Sequence, residues 1–275
     1  IRFHLLLLNQ ITLTQMSLDS IGKSIMAEYS DRKILYTGAA GGLGLPGTLA
    51  FLAKGATVVV LDRDEKKIAD LESQANGSAG KLIVKRVDLA DANALRVCVA
   101  EVIKEVGGID TLINNAAIYP SKPFGEYTLE EYQLVQKVNV EAAVICVQEV
   151  FPNMKANNFG RIVNITSITL SGGWTNLSPY IASKGTLLGL SRAWAREFGE
   201  FGVTSNCIAP GAFPTDAEKI HPDPVGYTKF VLDHQSVKRR GEPADIANGL
   251  LFLAARESGF FTGQTLNIDG GWVMN

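Results

Sequence analysis

The stretch Thr37-Gly-Ala-Ala-Gly-Gly-Leu-Gly44 decides the fold. It follows a short apolar run, residues 34–37, that reads as a strand, and it opens a helix running through Leu49-Ala-Phe-Leu-Ala53. Gly38, Gly42 and Gly44 let the chain turn sharply and let a pyrophosphate approach the backbone closely. The helix N-terminus then offers N–H groups and the positive end of its dipole. Pro46 fits the first helical turn, where a missing N–H costs nothing. A glycine-rich turn alone is weak evidence. Its place between a strand and a helix makes Gly38, Gly42, Leu43 and Gly44 candidate contacts to a dinucleotide.

Working outward, apolar strand-like runs at 57–61, 81–87, 111–113, 160–165, 203–208 and 265–268 alternate with helix-like segments. The helical segments are 65–74, 92–106, 130–154, 179–198 and 243–254, the third of them bent near Asn139. The β-branched run 57–61 carries no polar alternation, as expected of a strand buried on both faces. Leu95, Val99, Val102 and Val106 form one stripe along 92–106. Repeated βα alternation predicts an α/β fold, a single Rossmann-type doubly wound parallel sheet flanked by helices. Residues 212–238 read as a long loop with short helical pieces. Neither an internal repeat nor a dividing linker is evident, so 26–275 is expected to be a single dinucleotide-binding catalytic domain. Residues 1–25 are expected to lie outside it as an N-terminal extension. The apolar run Leu5-Leu-Leu-Leu8 within them is far shorter than the ~20 residues needed to span a bilayer.

The second strand ends at Asp62, 18 residues beyond Gly44. An acid there can accept hydrogen bonds from the adenosine ribose and repel a 2′-phosphate, which favours NAD over NADP. Arg63 beside it argues mildly the other way, but residues 37–46 contain no Lys or Arg. Bulk composition excludes several function classes. The 275-residue chain has a net charge of −2 and no block of like charge, so neither a nucleic-acid surface nor an anionic-membrane patch is expected. Cys98, Cys146 and Cys207 are far apart, with no CxxC spacing and no histidine cluster. They read as free thiols in a reducing, cytoplasmic setting, with no metal site.

Tyr180 and Lys184 are four apart on a predicted helix and share one face. A phenol has a pKa of about 10, too high for proton transfer near neutrality, and a neighbouring ammonium lowers it. Ser167 falls just past the strand 160–165, at the carboxyl edge where open α/β sheets bind ligands. No G-x-S-x-G elbow surrounds it, which argues against a hydrolase.

With TGAAGGLG (37–44), Asp88-Leu89, NNAA (114–117), Asn139, Ser167, YIASK (180–184), PGAFPT (210–215) and TGQTLNIDGG (262–271) in this order, the chain resembles the short-chain dehydrogenase/reductase family over about residues 30–275. Ala117 departs from the family's usual glycine. The resemblance implies that Tyr180 is the general acid/base. Lys184 would hold the nicotinamide ribose and depress the tyrosine pKa, and Ser167 would polarise the substrate carbonyl. Asn139 would hold a water linking Lys184 to solvent. It further implies adenine contacts at Asp88 and Leu89, an adenosine-side contact at Asn115, and carboxamide contacts at Phe213 and Thr215. For Asn114 a plain role tying neighbouring strands together stands equally well.

The substrate side is expected between Ser167 and Tyr180, around Trp174, and in 212–238, around Phe213, Ile220, Tyr227 and Phe230, with Tyr119 as a third wall. This suits an apolar or ring-bearing substrate, although such aromatics also pack lids. NNAAIYPSKPF and GFFTGQTLNIDGG are similar to segments of NAD-dependent aryl- and secondary-alcohol dehydrogenases and of pyridoxal dehydrogenases. The leading expectation is an NAD-dependent secondary-alcohol dehydrogenase acting on a small molecule. The alternatives are a 3-oxoacyl carrier-protein reductase using NADPH and a non-catalytic nucleotide sensor. The resemblance also implies a homotetramer. Val144, Val147, Leu187 and Leu190 are expected to supply spare apolar surface on the helices 130–154 and 180–198.

Overall fold

The computed structural model describes residues 29–215, 218 and 222–274. The expected extension at 1–25 lies outside these residues, as do Ile220 and His221. The strands are β1 (Lys33–Thr37), β2 (Thr57–Asp62), β3 (Lys81–Arg86), β4 (Thr111–Asn114), β5 (Gly160–Ile165), β6 (Val203–Pro210) and β7 (Thr265–Ile268). They form one sheet in the order β3-β2-β1-β4-β5-β6-β7, parallel throughout. The order reverses between β1 and β4, and the carboxyl ends flanking such a switch point leave a crevice for a ligand.

The helices are α1 (Gly44–Ala53), α2 (Glu65–Ala75), α3 (Ala92–Val106), α4 (Leu129–Gln136), α5 (Ala142–Ala156), α6 (Thr169–Gly172), α7 (Ser178–Phe198), α8 (Pro224–His234) and α9 (Pro243–Ala254). Alternate residues of each strand feed opposite cores. Ile34, Tyr36, Val58, Val60 and Val163 pack with Phe51, Leu52 and Leu250 of α1 and α9. Leu35, Val59, Leu61 and Ile162 pack with Leu95, Val99, Cys146, Val150 and Trp194 of α3, α5 and α7. Two buried faces explain why these strands read as unbroken apolar runs.

The bend expected near Asn139 in the helix 130–154 is a π-helical turn, Lys137–Glu141, that joins α4 directly to α5. Two expectations are corrected. The loop expected at 212–238 contains an eleven-residue helix, α8, started by Pro224 and capped by the Asp223 carboxylate on the Gly226 N–H. Its apolar residues lack a strong period because only Val231 is fully buried. Of the residues expected to supply spare apolar surface, Val147 and Leu187 are instead buried, while Val144 and Leu190 are half-buried and keep part of theirs.

Candidate active site

The glycine turn is assembled from both sides. Gly38 and Gly42 adopt left-handed φ values of 60° and 54°. A side chain on Gly38 would meet the backbone of Ala116 at 2.7 Å, whereas Gly42 faces open space, as a phosphate cradle requires. No side chain caps the start of α1, where Leu43 lies at the N-cap position. Gly44 is buried and does not line the cleft. A Cβ there would meet Ala39 Cα at 2.6 Å, so its role is close packing of the turn. Thr37 Oγ1 accepts the N–H groups of Asn115 and Ala116, and the Asn115 amide donates to the carbonyls of Thr37 and Gly38 at 3.1 and 2.8 Å. Asn115 lines the cleft as expected, but its amide is engaged in bracing the turn.

At the end of β2, Asp62 lines the cleft and accepts the N–H of Ala40 at 3.1 Å and of Arg63 at 2.8 Å. Arg63 is turned onto Asp88, with a 2.8 Å ion pair between them. The basic residue not found by sequence is Lys67. Its stem crosses Gly41, where a Cβ would meet Lys67 Cδ at 2.6 Å, and it lines the cleft beside the acid. Linear distance hid it, because α2 returns across the turn. Leu89, Phe213 and Thr215 line the same cleft, with Leu89 and Phe213 buried in the core.

At the far end, β5 delivers Ser167 and α7 delivers Tyr180 and Lys184. The Ser167 hydroxyl oxygen accepts from the Thr169 N–H at 3.1 Å and from the Thr169 hydroxyl at 2.9 Å. Its own proton is thereby directed elsewhere, and Tyr180 is within hydrogen-bonding reach. Thr169 was missed because the helix it opens, α6, is only four residues long and leaves no period in the sequence. Tyr119 packs edge-on against Tyr180, with ring centroids 6.0 Å apart.

Lys184 is 1% exposed and donates to the Ile165 carbonyl at 2.6 Å. Its nitrogen lies 5.5 Å from the centre of the Tyr180 ring. Burial pulls the Lys184 pKa down to about 8. Burial also pushes the Tyr180 hydroxyl up to about 12, opposed by the hydrogen bond to Ser167. The expected depression of the tyrosine by the lysine is therefore not what this arrangement produces. Desolvation dominates both groups, and the ammonium is spent on a strand carbonyl.

Asn139 is buried behind the cleft wall rather than on it. Its carboxamide accepts the Ile118 N–H at 2.8 Å and donates to the Ile118 carbonyl and Ser183 Oγ, each at 3.0 Å. Ser183 Oγ in turn donates to the Tyr180 carbonyl at 2.6 Å. The π-turn thus ties the segment after β4 to the first turns of α7, where Tyr180 sits; single π-turns of this kind recur at functional sites. Asn114 donates to Asn164 at 2.8 Å between β4 and β5, the strand-tying role.

Gly38, Gly42, Asp62, Asn115, Ser167, Tyr180 and Lys184 share one cleft of about 730 Å³ that runs from Asp62 past Tyr180 to Trp174 and Trp272. Among the described residues, no cluster of three potential metal ligands exists. A parallel sheet in this order, with a glycine turn at the switch point and an acid at the end of the second strand, defines the dinucleotide-binding α/β class. A family model described as enoyl-(acyl carrier protein) reductase matches residues 38–273. The chain is 35% identical over 241 residues to the BbsD subunit of (2S)-[(R)-hydroxy(phenyl)methyl]succinyl-CoA dehydrogenase from Thauera aromatica, covering 88% of this chain and 96% of that one. It is 33% identical to the 3-oxoacyl-[acyl-carrier-protein] reductase FabG of Thermotoga maritima, covering 87% and 97%. The solved gluconate 5-dehydrogenase of Burkholderia cenocepacia, in complex with NADP and tartrate, superimposes with a TM-score of 0.82 at 29% identity, covering 89% and 96%. The chain belongs to the short-chain dehydrogenase/reductase family, whose members are oxidoreductases that bind a nicotinamide cofactor.

Proposed function

We propose that this protein transfers a hydride between NAD and a secondary alcohol/ketone pair, with an apolar or ring-bearing substrate. The observation that carries the reading is the convergence of Ser167, Tyr180 and Lys184 at one end of a cleft whose other end is closed by Asp62. The cleft fits a dinucleotide. Gly42 leaves a phosphate-sized approach to the turn, the start of α1 has no capping side chain, and Asp62 stands at ribose reach of the turn. Asp62, Asp88, Leu89 and Asn115 would hold the adenosine half. Gly38, Gly42 and Leu43 would hold the pyrophosphate. Lys184 would hold the nicotinamide ribose, and Phe213 and Thr215 the carboxamide.

The nicotinamide, when bound, supplies or accepts the hydride. Tyr180 gives its proton to the ketone oxygen in reduction, and a phenol held near 12 keeps that proton at neutral pH. Ser167, oriented by Thr169, donates to the same oxygen. Asn139 and Ser183 hold Tyr180 in place through its backbone. Retention of this full constellation supports an enzyme over a nucleotide sensor.

The second reading, an NADPH-dependent 3-oxoacyl carrier-protein reductase, is favoured by Lys67 and Arg63 beside Asp62 and by the NADP-bound relative. Among the described residues, no helix is long and apolar enough to cross a membrane. A cytoplasmic setting is proposed because all three cysteines are free thiols. A homotetramer is proposed on family resemblance. The direct test is a panel of ketones, alcohols and a 3-oxoacyl thioester assayed with both cofactors. Reduction of ketones with NADH preferred at least tenfold in kcat/KM supports the first reading. Preference for NADPH and the thioester replaces it with the second.

A further inference from the structure

The substrate end of the cleft is walled by aromatic rings, and the one that joins them was not legible in sequence. Trp272, four residues past the last strand, lines the cleft with Trp174, Tyr119 and Tyr227. Its indole stands edge-on to Trp174 with centroids 5.5 Å apart at 60°. Its indole also stacks on His234 at 5.3 Å and meets Phe230 at 5.7 Å, both on α8. One side chain therefore joins the Ser167–Tyr180 segment to the helix over the cleft.

Both indoles are held by backbone devices. Asp269 is 5% exposed and accepts the N–H of Gly271 at 2.9 Å and of Val273 at 2.8 Å, straddling Trp272. Gly270 and Gly271 take left-handed φ values of 68° and 75° to make that turn. The Gly270 carbonyl accepts from the N–H groups of Ser236 and Val237, and the Val273 carbonyl from Asn267. Trp174 lies back over Gly172, where any Cβ would strike its ring at 1.7 Å. A chain end bonded on both sides of one tryptophan, facing a second tryptophan seated over an obligatory glycine, is a preset wall. Charge agrees. Among the described residues at this end, the charged lining groups are Lys184, bonded to the Ile165 carbonyl, and Glu218, ion-paired with Arg240.

We propose that Trp272 and Trp174, already in edge-to-face contact with each other, form an aromatic wall on which a planar ring packs beside the reacting carbonyl, and that Trp272 determines specificity for aryl ketones or aryl carbinols. Ring edges and faces attract each other beyond area burial, so a flat ring gains what a puckered ring of the same size does not. The assignment rests on the hydride-transfer reading above and adds to it the substrate class and the residue that selects it.

Acetophenone, cyclohexyl methyl ketone and 2-butanone test it with the full chain and cofactor, by kinetics and by ¹⁹F NMR of 5-fluorotryptophan-labelled protein. The chain has three tryptophans, and Trp194, buried in the core, is an internal control. Acetophenone should shift the Trp174 and Trp272 signals and leave Trp194 still, with cyclohexyl methyl ketone acting more weakly. Wild-type kcat/KM should favour acetophenone over its cyclohexyl counterpart about tenfold, the upper range for an edge-to-face aromatic pair. Trp272→Leu should abolish that preference through KM while 2-butanone changes by less than about threefold, and Trp272→Phe should restore most of it. Unmoved Trp174 and Trp272 signals, or one common loss for all three ketones in Trp272→Leu, would overturn the aromatic wall. Moved signals with no reduction under NADH or NADPH would uphold the wall and remove the hydride-transfer reading instead.

Discussion

Lys184 donates a 2.6 Å hydrogen bond to the carbonyl of Ile165, so the buried ammonium of α7 is anchored to the end of β5. The same bond brings Ser167, two residues further on, to the foot of Tyr180. The arrangement holds a charge inside the protein at a cost, and burial lowers the lysine from 10.5 to about 8.

That cost is measurable. The folded pKa lies below the unfolded one, so between pH 8 and 10.5 the unfolded chain holds a proton that the folded chain has released, and this group's contribution to stability rises with pH across that window. Below pH 8 the full penalty is present. Lys184→Met removes it, less the hydrogen bond to Ile165, and should stabilise the fold at pH 7 by about 2 kcal/mol. The gain should shrink toward pH 10.5, and activity should be lost. Urea denaturation at pH 7 and pH 10 checks both the sign and the trend.

Tyr180→Phe deletes only the ionisable hydroxyl. Turnover should fall by about 10²–10⁴, the range for a general acid–base group, with cofactor affinity nearly kept. Steady-state kinetics and fluorescence titration of the reduced dinucleotide measure the two separately. Near-normal turnover would exclude Tyr180 as the proton donor.

Ser167 lowers the Tyr180 pKa against the rise caused by burial. Ser167→Ala should therefore move the alkaline rise of alcohol oxidation to higher pH. Thr169→Val leaves Ser167 in place but removes its hydroxyl partner, and should reduce kcat by about three- to tenfold, the worth of one hydrogen bond. A purely structural role for Thr169 would lower thermal stability without touching the pH profile.

Asp62 lines the same cleft as Lys67, which pairs with Asp64 at 3.7 Å, and Arg63, which pairs with Asp88 at 2.8 Å. Asp62→Ala should weaken NAD by about 10- to 100-fold, a hydrogen-bonded charge being worth about 1.5–3 kcal/mol, and should improve NADP. Comparing kcat/KM for both cofactors in wild type and variant decides it. A wild type that already prefers NADP would mean the basic pair outweighs the acid.

Assembly should depend on surface that the fold leaves bare. Phe260 is fully exposed, with Phe261, Phe252 and Leu266 also exposed near the β7 edge. Phe260→Glu should disrupt a tetramer without unfolding the protomer, whereas a charge at Leu190 would strike the core it packs against. Light scattering coupled to size exclusion reads the mass. A wild-type monomer with full activity would remove the tetramer.

Strand positions and the sheet class were legible because a strand buried on both faces leaves an unbroken apolar run, and a parallel sheet needs a helix after each strand. The glycine turn, Asp62 and the Tyr180–Lys184 pair were legible for the same reason: each is a local spacing on one element. Four features left no trace in local spacing. Lys67 reaches Gly41 only because α2 folds back across the turn. Thr169 orients Ser167 through a four-residue helix too short to leave a period. Trp272 meets Trp174 across nearly a hundred positions of chain. The fourth is the pKa of Tyr180. Sequence spacing placed an ammonium one helical turn away and so implied a depressed phenol. The fold buried the lysine, left the tyrosine half-buried on the cleft and turned the ammonium to Ile165, and desolvation, which no local spacing encodes, set the direction.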